Sequence, residues 1–432
     1  MINQIFIMGQ CTMHWGRMEF GNVGNYYIVE PMFKEIRKNF PSAKIVTTMQ
    51  FSNGFCQRFR IDTVPMELYY DFDSDCNLSN ALREFESVKN GNNFSSPYIE
   101  QIKKSDFVID FSGDIWGDNA DFLGKDRFVT GCYKDLTAQL LKPTVMIAGS
   151  PGPFDSYKNI TLAKQAYSGF AFVTNREPIS TQLLDKQGFD ISKTYNFPCP
   201  SFLFEKSESE DVNAFFTEMR KNNNNQLIIG FILCGWNFSR GPFNAWPRDD
   251  EEYSVFKELI THIIEKYKSR IILLSHSNGF DTPPAPFCLK HGRDYPIMQQ
   301  FRKMFDGTKY DSYITLLDDI YLPCKTKEII SHFDILISGR MHGAVAGLSQ
   351  SVPTVIIDYG HEPKAHKLIG FAEVVCDNKS QEIITSPNDI DEIINKVDSI
   401  IDNRKTWQSF LIERNKVISK KSREQFSQLT TL

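Results

Sequence analysis

The stretch FDILISGRMHGAVAGLSQSVPTVIIDYGHEPK, residues 333–364, decides how this chain is read. FDILIS is a short apolar run of the buried-strand type. It stops at Ser338 and Gly339. Gly343, Ala344, Ala346 and Gly347 are small residues of a helix that starts near His342 and can pack closely on a sheet. TVIIDY is a second buried strand. Strand, helix and strand in so short a stretch predict a parallel β-α-β unit, covered on both faces.

The same alternation runs outward in both directions. Downstream of residue 226, LIIGFIL (227–233), RIILLS (270–275) and ITLLDD (314–319) read as further strands. Val255, Phe256, Leu259, Ile260, Ile263 and Ile264 make one helix face, and another helix is expected at Thr326–Ser331. Upstream, Ile5–Met8, Ala43–Thr48, Phe107–Phe111, Thr144–Ala148 and Ala171–Thr174 are strands, with helices at Tyr27–Phe40 and within 118–142. The text between them, EKSESEDVNAFFTEMRKNNNNQ, is polar and reads as a surface connection between domains with some helix inside. The expected organisation is a Rossmann-like domain over 1–205, a polar hinge over 206–226, a second Rossmann-like domain over 227–385, and a helical tail over 386–432. Ile390, Ile393, Ile394 and Val397 form the apolar face of that tail. Two parallel sheets of this kind are expected to face a cleft, with ligands at the carboxyl ends of the strands.

Composition narrows the function. The chain has 432 residues, 41% of them apolar, and 35 Phe, which excludes a disordered protein. Its net charge is 48 − 53 = −5, so no global field attracts nucleic acid, and an anionic ligand needs a local cationic cluster. Nine cysteines, with no C-x-x-C among them, suit free thiols in a reducing compartment. The start carries no basic leader, and no apolar run approaches the ~20 residues that span a bilayer. A cytoplasmic protein is expected, with peripheral contact at the inner face of the membrane left open.

Strand ends supply the chemistry. Arg340 can fork onto phosphate or carboxylate, and His342 titrates near neutral pH. The start of the helix between them adds unpaired N–H groups. Lys364, His361 and His366 follow the next strand. The alternative is that Arg340 pairs with a carboxylate and His342 caps the helix. GNVGNYY (21–27), which contains Asn25, is a ligand loop or a plain turn. Asp114 and Asp118 in FVIDFSGDIWGDN either meet sugar hydroxyls and act as a base, or cap the next helix. Arg176 and Glu177 read as an ion pair. Asn237 and Arg240 follow the first strand of the second half. His276, His291 and Asp294 fit no standard ligand spacing, so no protein-bound metal is expected.

At ISGRMHGAVAGLSQSVPTVIIDYGHEPKAHKLIG the sequence resembles the polysaccharide pyruvyl transferase family, in which R-x-H follows a strand and a small-residue helix comes next. GNVGN, DFVIDFSGDIW, KPTVMIAGSPGPF, VTNREPISTQLLDKQGF and PCPSF follow the family's order along the chain. The resemblance implies a GT-B-like fold of two Rossmann-like domains, with the acceptor on the N-terminal side and the donor on the C-terminal side. It implies transfer of pyruvate from phosphoenolpyruvate to a sugar of a cell-surface polysaccharide or its lipid-linked precursor. No cofactor beyond that donor substrate is implied. By the same resemblance Arg340, Met341 and Lys364 bind the donor and His342 is the acid. Arg240 would serve where the family often has an Arg at the position of Cys234. Asn25, Asp114 and Asp118 would be acceptor-binding or base residues. The competing readings are a GT-B glycosyltransferase using a nucleotide sugar, and a non-catalytic carbohydrate-binding relative.

Overall fold

The computed structural model describes residues 2–11, 17–154, 156–222, 226–241, 245–281, 285–360 and 365–432, in two compact units. The first comprises Met1–Met18, Met32–Cys199 and Lys421–Leu432; the second comprises Glu19–Pro31 and Pro200–Lys420. Among the described residues no helix is long and apolar enough to cross a membrane.

The first unit is built on seven strands: β1 (Gln4–Met8), β2 (Lys44–Thr47), β3 (Ile61–Thr63), β4 (Phe107–Asp110), β5 (Thr144–Gly149), β6 (Val173–Asn175) and β7 (Thr194–Asn196). They form one parallel sheet in the order β3-β2-β1-β4-β5-β6-β7. The strand order reverses between β1 and β4. Trp116, buried just after β4, gathers the rings of Phe128, Phe154, Tyr167 and Phe170 around it at 5.4–6.3 Å. Its indole N–H donates to Asp135 at 3.1 Å.

The second unit carries β8 (Ile228–Ile232), β9 (Arg270–Leu273), the short antiparallel pair β10 (Asn278–Phe280) and β11 (Leu289–His291), then β12 (Ile314–Leu316), β13 (Ile335–Ser338), β14 (Thr354–Ile357) and β15 (Ile384–Thr385). Its parallel sheet has the order β12-β9-β8-β13-β14-β15 and reverses between β8 and β13. Alternation sorts the strand residues onto two cores. Ile229, Phe231, Ile271, Leu273, Ile335 and Ile337 share one cluster. Ile228, Ile232, Ile272 and Leu336 share the other, with Val23 and Tyr27 packed into it. Both faces are apolar because helices cover both, which is why these strands read as continuous apolar runs.

Three boundaries differ from the sequence expectation. Residues 206–226 belong to the second unit and not to a connection between units: the helix expected there is Glu210–Asn222, and its Val212 and Phe216 are buried in that unit. The helix Val23–Asn39 starts in the second unit, so Asn25 does not belong to an N-terminal domain. The tail consists of the helices Ile390–Asp402 and Arg404–Ser427, and its last residues from Lys421 belong to the first unit. Composition marks polar stretches, but it does not show which sheet an amphipathic face will cover.

Candidate active site

The reversal of strand order between β8 and β13 places two loops side by side in the second unit, the position where open α/β sheets bind ligands. After β13 the chain turns through Gly339 into the helix Met341–Ser349, with Arg340 as its N-cap. Ser338 locks this turn: its hydroxyl accepts from the Arg340 N–H at 3.2 Å and donates to the Arg340 carbonyl at 2.8 Å. The first N–H groups of the helix stand at its open end, where a partial positive charge favours an anion. After β8, Asn237 accepts from the Cys234 N–H at 2.9 Å and donates to the carbonyls of Ile357 and Asp358 at 3.3 and 3.2 Å. It thereby ties the ends of β8 and β14 together. Gly339 makes room for it, since a Cβ there would lie 2.1 Å from Asn237 Oδ1.

Arg340 is buried, and its guanidinium forks onto Asp294, Nε to Oδ2 at 2.5 Å and Nη2 to Oδ1 at 2.7 Å. The expected carboxylate partner therefore exists, and it occupies one edge of the guanidinium. Nη1 stands outside this fork. Asp294 is fully buried at the start of the helix Tyr295–Lys303. His342 is half-buried two residues beyond Arg340. Its imidazole rests against Gly24: a Cβ at 24 would lie 2.5 Å from Nδ1 and 2.6 Å from Cγ. The GNVGN stretch thus belongs to this site as a helix start, with Asn22 accepting from the Gly24 N–H at 3.0 Å. Asn25 is on the same turn.

His276, just beyond β9, is fully buried, and its ring lies edge-on to Tyr27 at 5.5 Å. Burial pushes its imidazole down to about 3, and the Arg340 charge adds to the effect. Burial also pushes the Cys234 thiol up, and this thiol donates to the Gly339 carbonyl at 3.3 Å.

The remaining expected site residues lie in various places. The Met341 side chain is packed in the core, so its backbone N–H is what it can offer an anion. Lys364 and His361 lie outside the described residues. Arg240 is exposed, 3.7 Å from exposed Asp249. Asp114 and Asp118 are in the first unit. Asp118 accepts from the Ser156 N–H and the Asn159 side-chain amide, both at 2.8 Å. The partly exposed Asp114 carboxylate lies 3.9 Å from the buried Arg176, whose Nε donates to Ser150 at 2.8 Å. Arg176 thus pairs with Asp114 and not with its neighbour Glu177, which accepts from the Ser180 N–H at 3.0 Å. Sequence reasoning missed Gly24 as a support for His342 and Asp294 as the partner of Arg340. Among the described residues no three His, Cys, Asp or Glu side chains converge as a metal site.

Two Rossmann-like units with an R-x-H helix start at a strand-order reversal define a GT-B-like transferase. The chain belongs to the polysaccharide pyruvyl transferase family, whose family model matches residues 22–361. A curated relative, the amylovoran biosynthesis protein AmsJ of Erwinia amylovora, is 22% identical over 310 residues, 71% of this chain and 68% of AmsJ. The protein is thus a transferase of polysaccharide biosynthesis. Similar solved structures include the UDP-GlcNAc 2-epimerase of Methanocaldococcus jannaschii (TM-score 0.59, 13% identity, all of both chains). Anabaena HepE in complex with UDP-glucose is also similar (TM-score 0.57, 13% identity, all of both chains). At such identities the likeness shows the fold.

Proposed function

We propose that this protein transfers the pyruvyl group of phosphoenolpyruvate to two hydroxyls of one sugar, forming a ketal on a polysaccharide or its lipid-linked precursor. The observation that carries the reading is Arg340, held by Asp294 at the start of the helix Met341–Ser349, with His342 two residues away. Phosphoenolpyruvate carries about three negative charges, and a chain of net charge −5 must collect cations locally to hold it. Arg340 and the N–H groups of the helix start supply part of that charge.

His342 gives its proton to the methylene carbon of the donor, leaving positive charge on the adjacent carbon. One sugar hydroxyl adds there and releases its proton. The carbon–oxygen bond to phosphate then breaks, phosphate taking the electron pair. The second hydroxyl adds and loses its proton. Of the two hydroxyl protons, one balances the proton spent on carbon and the other leaves with phosphate.

Ligand-induced thermal stabilisation tests the donor. Phosphoenolpyruvate should raise Tm, and a panel of nucleotide sugars should not; the opposite result would assign the site to a glycosyltransferase. His342→Ala should abolish phosphate release while sparing donor binding. Arg340→Lys, which keeps a charge beside Asp294 but loses the fork, should weaken donor binding.

A further inference from the structure

His276 occupies an unusual position. It is fully buried, yet neither Nδ1 nor Nε2 meets a hydrogen-bonding partner among the described residues. A buried imidazole always carries at least one ring proton, so a polar group is held here at a cost that apolar packing would avoid. Its surroundings belong to the site. Tyr27, from the helix that carries Gly24, meets it edge-on. Arg340 and Asp294 act on it electrostatically from the starts of two further helices. Its neighbour Ser277 accepts from the Asp294 N–H at 3.1 Å and, through its carbonyl, from the Gly292 N–H at 3.2 Å. The loop after β9 therefore fixes the backbone of Asp294 through Ser277 and holds the His276 ring within electrostatic reach of the Asp294–Arg340 pair.

We propose that Asp294 and His276 are positioning residues for Arg340: Asp294 sets the plane of the guanidinium through the Nε–Nη2 edge, and His276 backs that pair as an uncharged ring. An imidazolium here would compete with Arg340 for the Asp294 carboxylate. A neutral ring leaves the fork intact and Nη1 available for an anionic donor. Burial and the Arg340 charge both keep the ring neutral through the physiological range. This inference rests on the donor-binding role proposed for Arg340. It adds that the orientation of Arg340 is set from β9 and the loop before Tyr295.

The test combines kinetics with a readout that needs no donor. In phosphate release from phosphoenolpyruvate, Asp294→Asn should raise KM about 10–100-fold with a smaller fall in kcat. Asp294→Glu keeps the charge, and so protects the fold if the Asn variant fails; its KM should fall between those of the wild type and Asn. His276→Gln should raise KM while leaving the shape of the kcat/KM profile between about pH 5 and 8 as in the wild type. Unchanged KM in both Asp294 variants overturns the proposal. So does a kcat/KM profile that loses one of its limbs in His276→Gln, which would make His276 a titrating participant. Independently, the 15N signals of the Arg340 guanidinium, assigned through Arg340→Lys, report rotation about Nε–Cζ. Hindered rotation in the wild type and free rotation in Asp294→Asn are expected; equal rotation in both overturns the positioning. If the wild type ignores phosphoenolpyruvate yet shows hindered rotation lost in Asp294→Asn, the donor reading fails and the positioning stands.

Discussion

Gly24→Ala isolates the geometry of His342 from the stability of the fold. Gly24 is the second residue of the helix Val23–Asn39. Alanine is the better helix former, by up to about 1 kcal/mol, so local propensity favours the change. Packing opposes it. The new methyl would lie 2.5–2.6 Å from Nδ1, Cβ and Cγ of His342, well inside the 3.4–4 Å of ordinary contact. The imidazole or one of the two helices must therefore retreat by about 1 Å. A displacement of that size at a proton-donating group costs about 10²-fold in rate, equivalent to about 2.7 kcal/mol of barrier. Phosphate release from phosphoenolpyruvate with the glycan acceptor is the assay, and thermal unfolding runs beside it. The expected signature is a kcat down about 100-fold with Tm shifted by only a few degrees. Gly54→Ala is the control, because the nearest atom to its Cβ is Ser52 Oγ at 3.9 Å. A Gly24→Ala enzyme with wild-type kcat would refute both the contact and the acid role argued for His342.

Other changes test the framework. Burial, the main cause, pushes the Asp110 carboxyl up to about 7, and it pushes its neighbour Asp135 up as well. Folding thus favours the protonated acid. The associated stability is fully present below about pH 4, the ordinary carboxyl range, and is lost as pH rises through about 7. Thermal unfolding of the wild type should show Tm falling between about pH 4 and 7, and Asp110→Asn should flatten that slope. Lys134 donates to buried Glu84 at 2.6 Å and to the Leu68 carbonyl at 2.8 Å. Lys134→Met should cost roughly 3–5 kcal/mol in urea unfolding, and adding Glu84→Leu should recover much of it. Gly339→Ala drives a methyl into Asn237 and should cost about 1–3 kcal/mol by the same measurement.

Much of the fold was legible because covered parallel strands cannot hide. LIIGFIL, RIILLS and FDILIS each appear as β8, β9 and β13, and R-x-H stands at a helix start as expected. Shorter elements were harder. Ile61–Thr63 and Thr194–Asn196 are edge strands of three residues, two of them exposed in each, and they carry no apolar run. At the site, Arg340 and His342 announced themselves by their place after a strand. Asp294 did not, because it lies 46 residues from Arg340 in sequence and in a loop with no periodicity. Only the pairing of β8 with both β9 and β13 brings the two loops together. Gly24 was visible as a glycine, but the ring packed against it belongs to a residue more than 300 positions away.

The route of the chain has a consequence for modularity. It changes unit four times, after residues 18, 31, 199 and 420. A fragment ending near Cys199 would lack Ser422 and Gln425, which bond the carbonyls of Cys199 and Pro198 at 3.3 and 3.2 Å. A fragment starting at Pro200 would lack Gly24, the floor beneath His342, and Tyr27, the ring beside His276. Neither half is a transferable cassette. A chimera that exchanges one unit between relatives must therefore carry the terminal segment along with the first unit, and must leave residues 19–31 with the second.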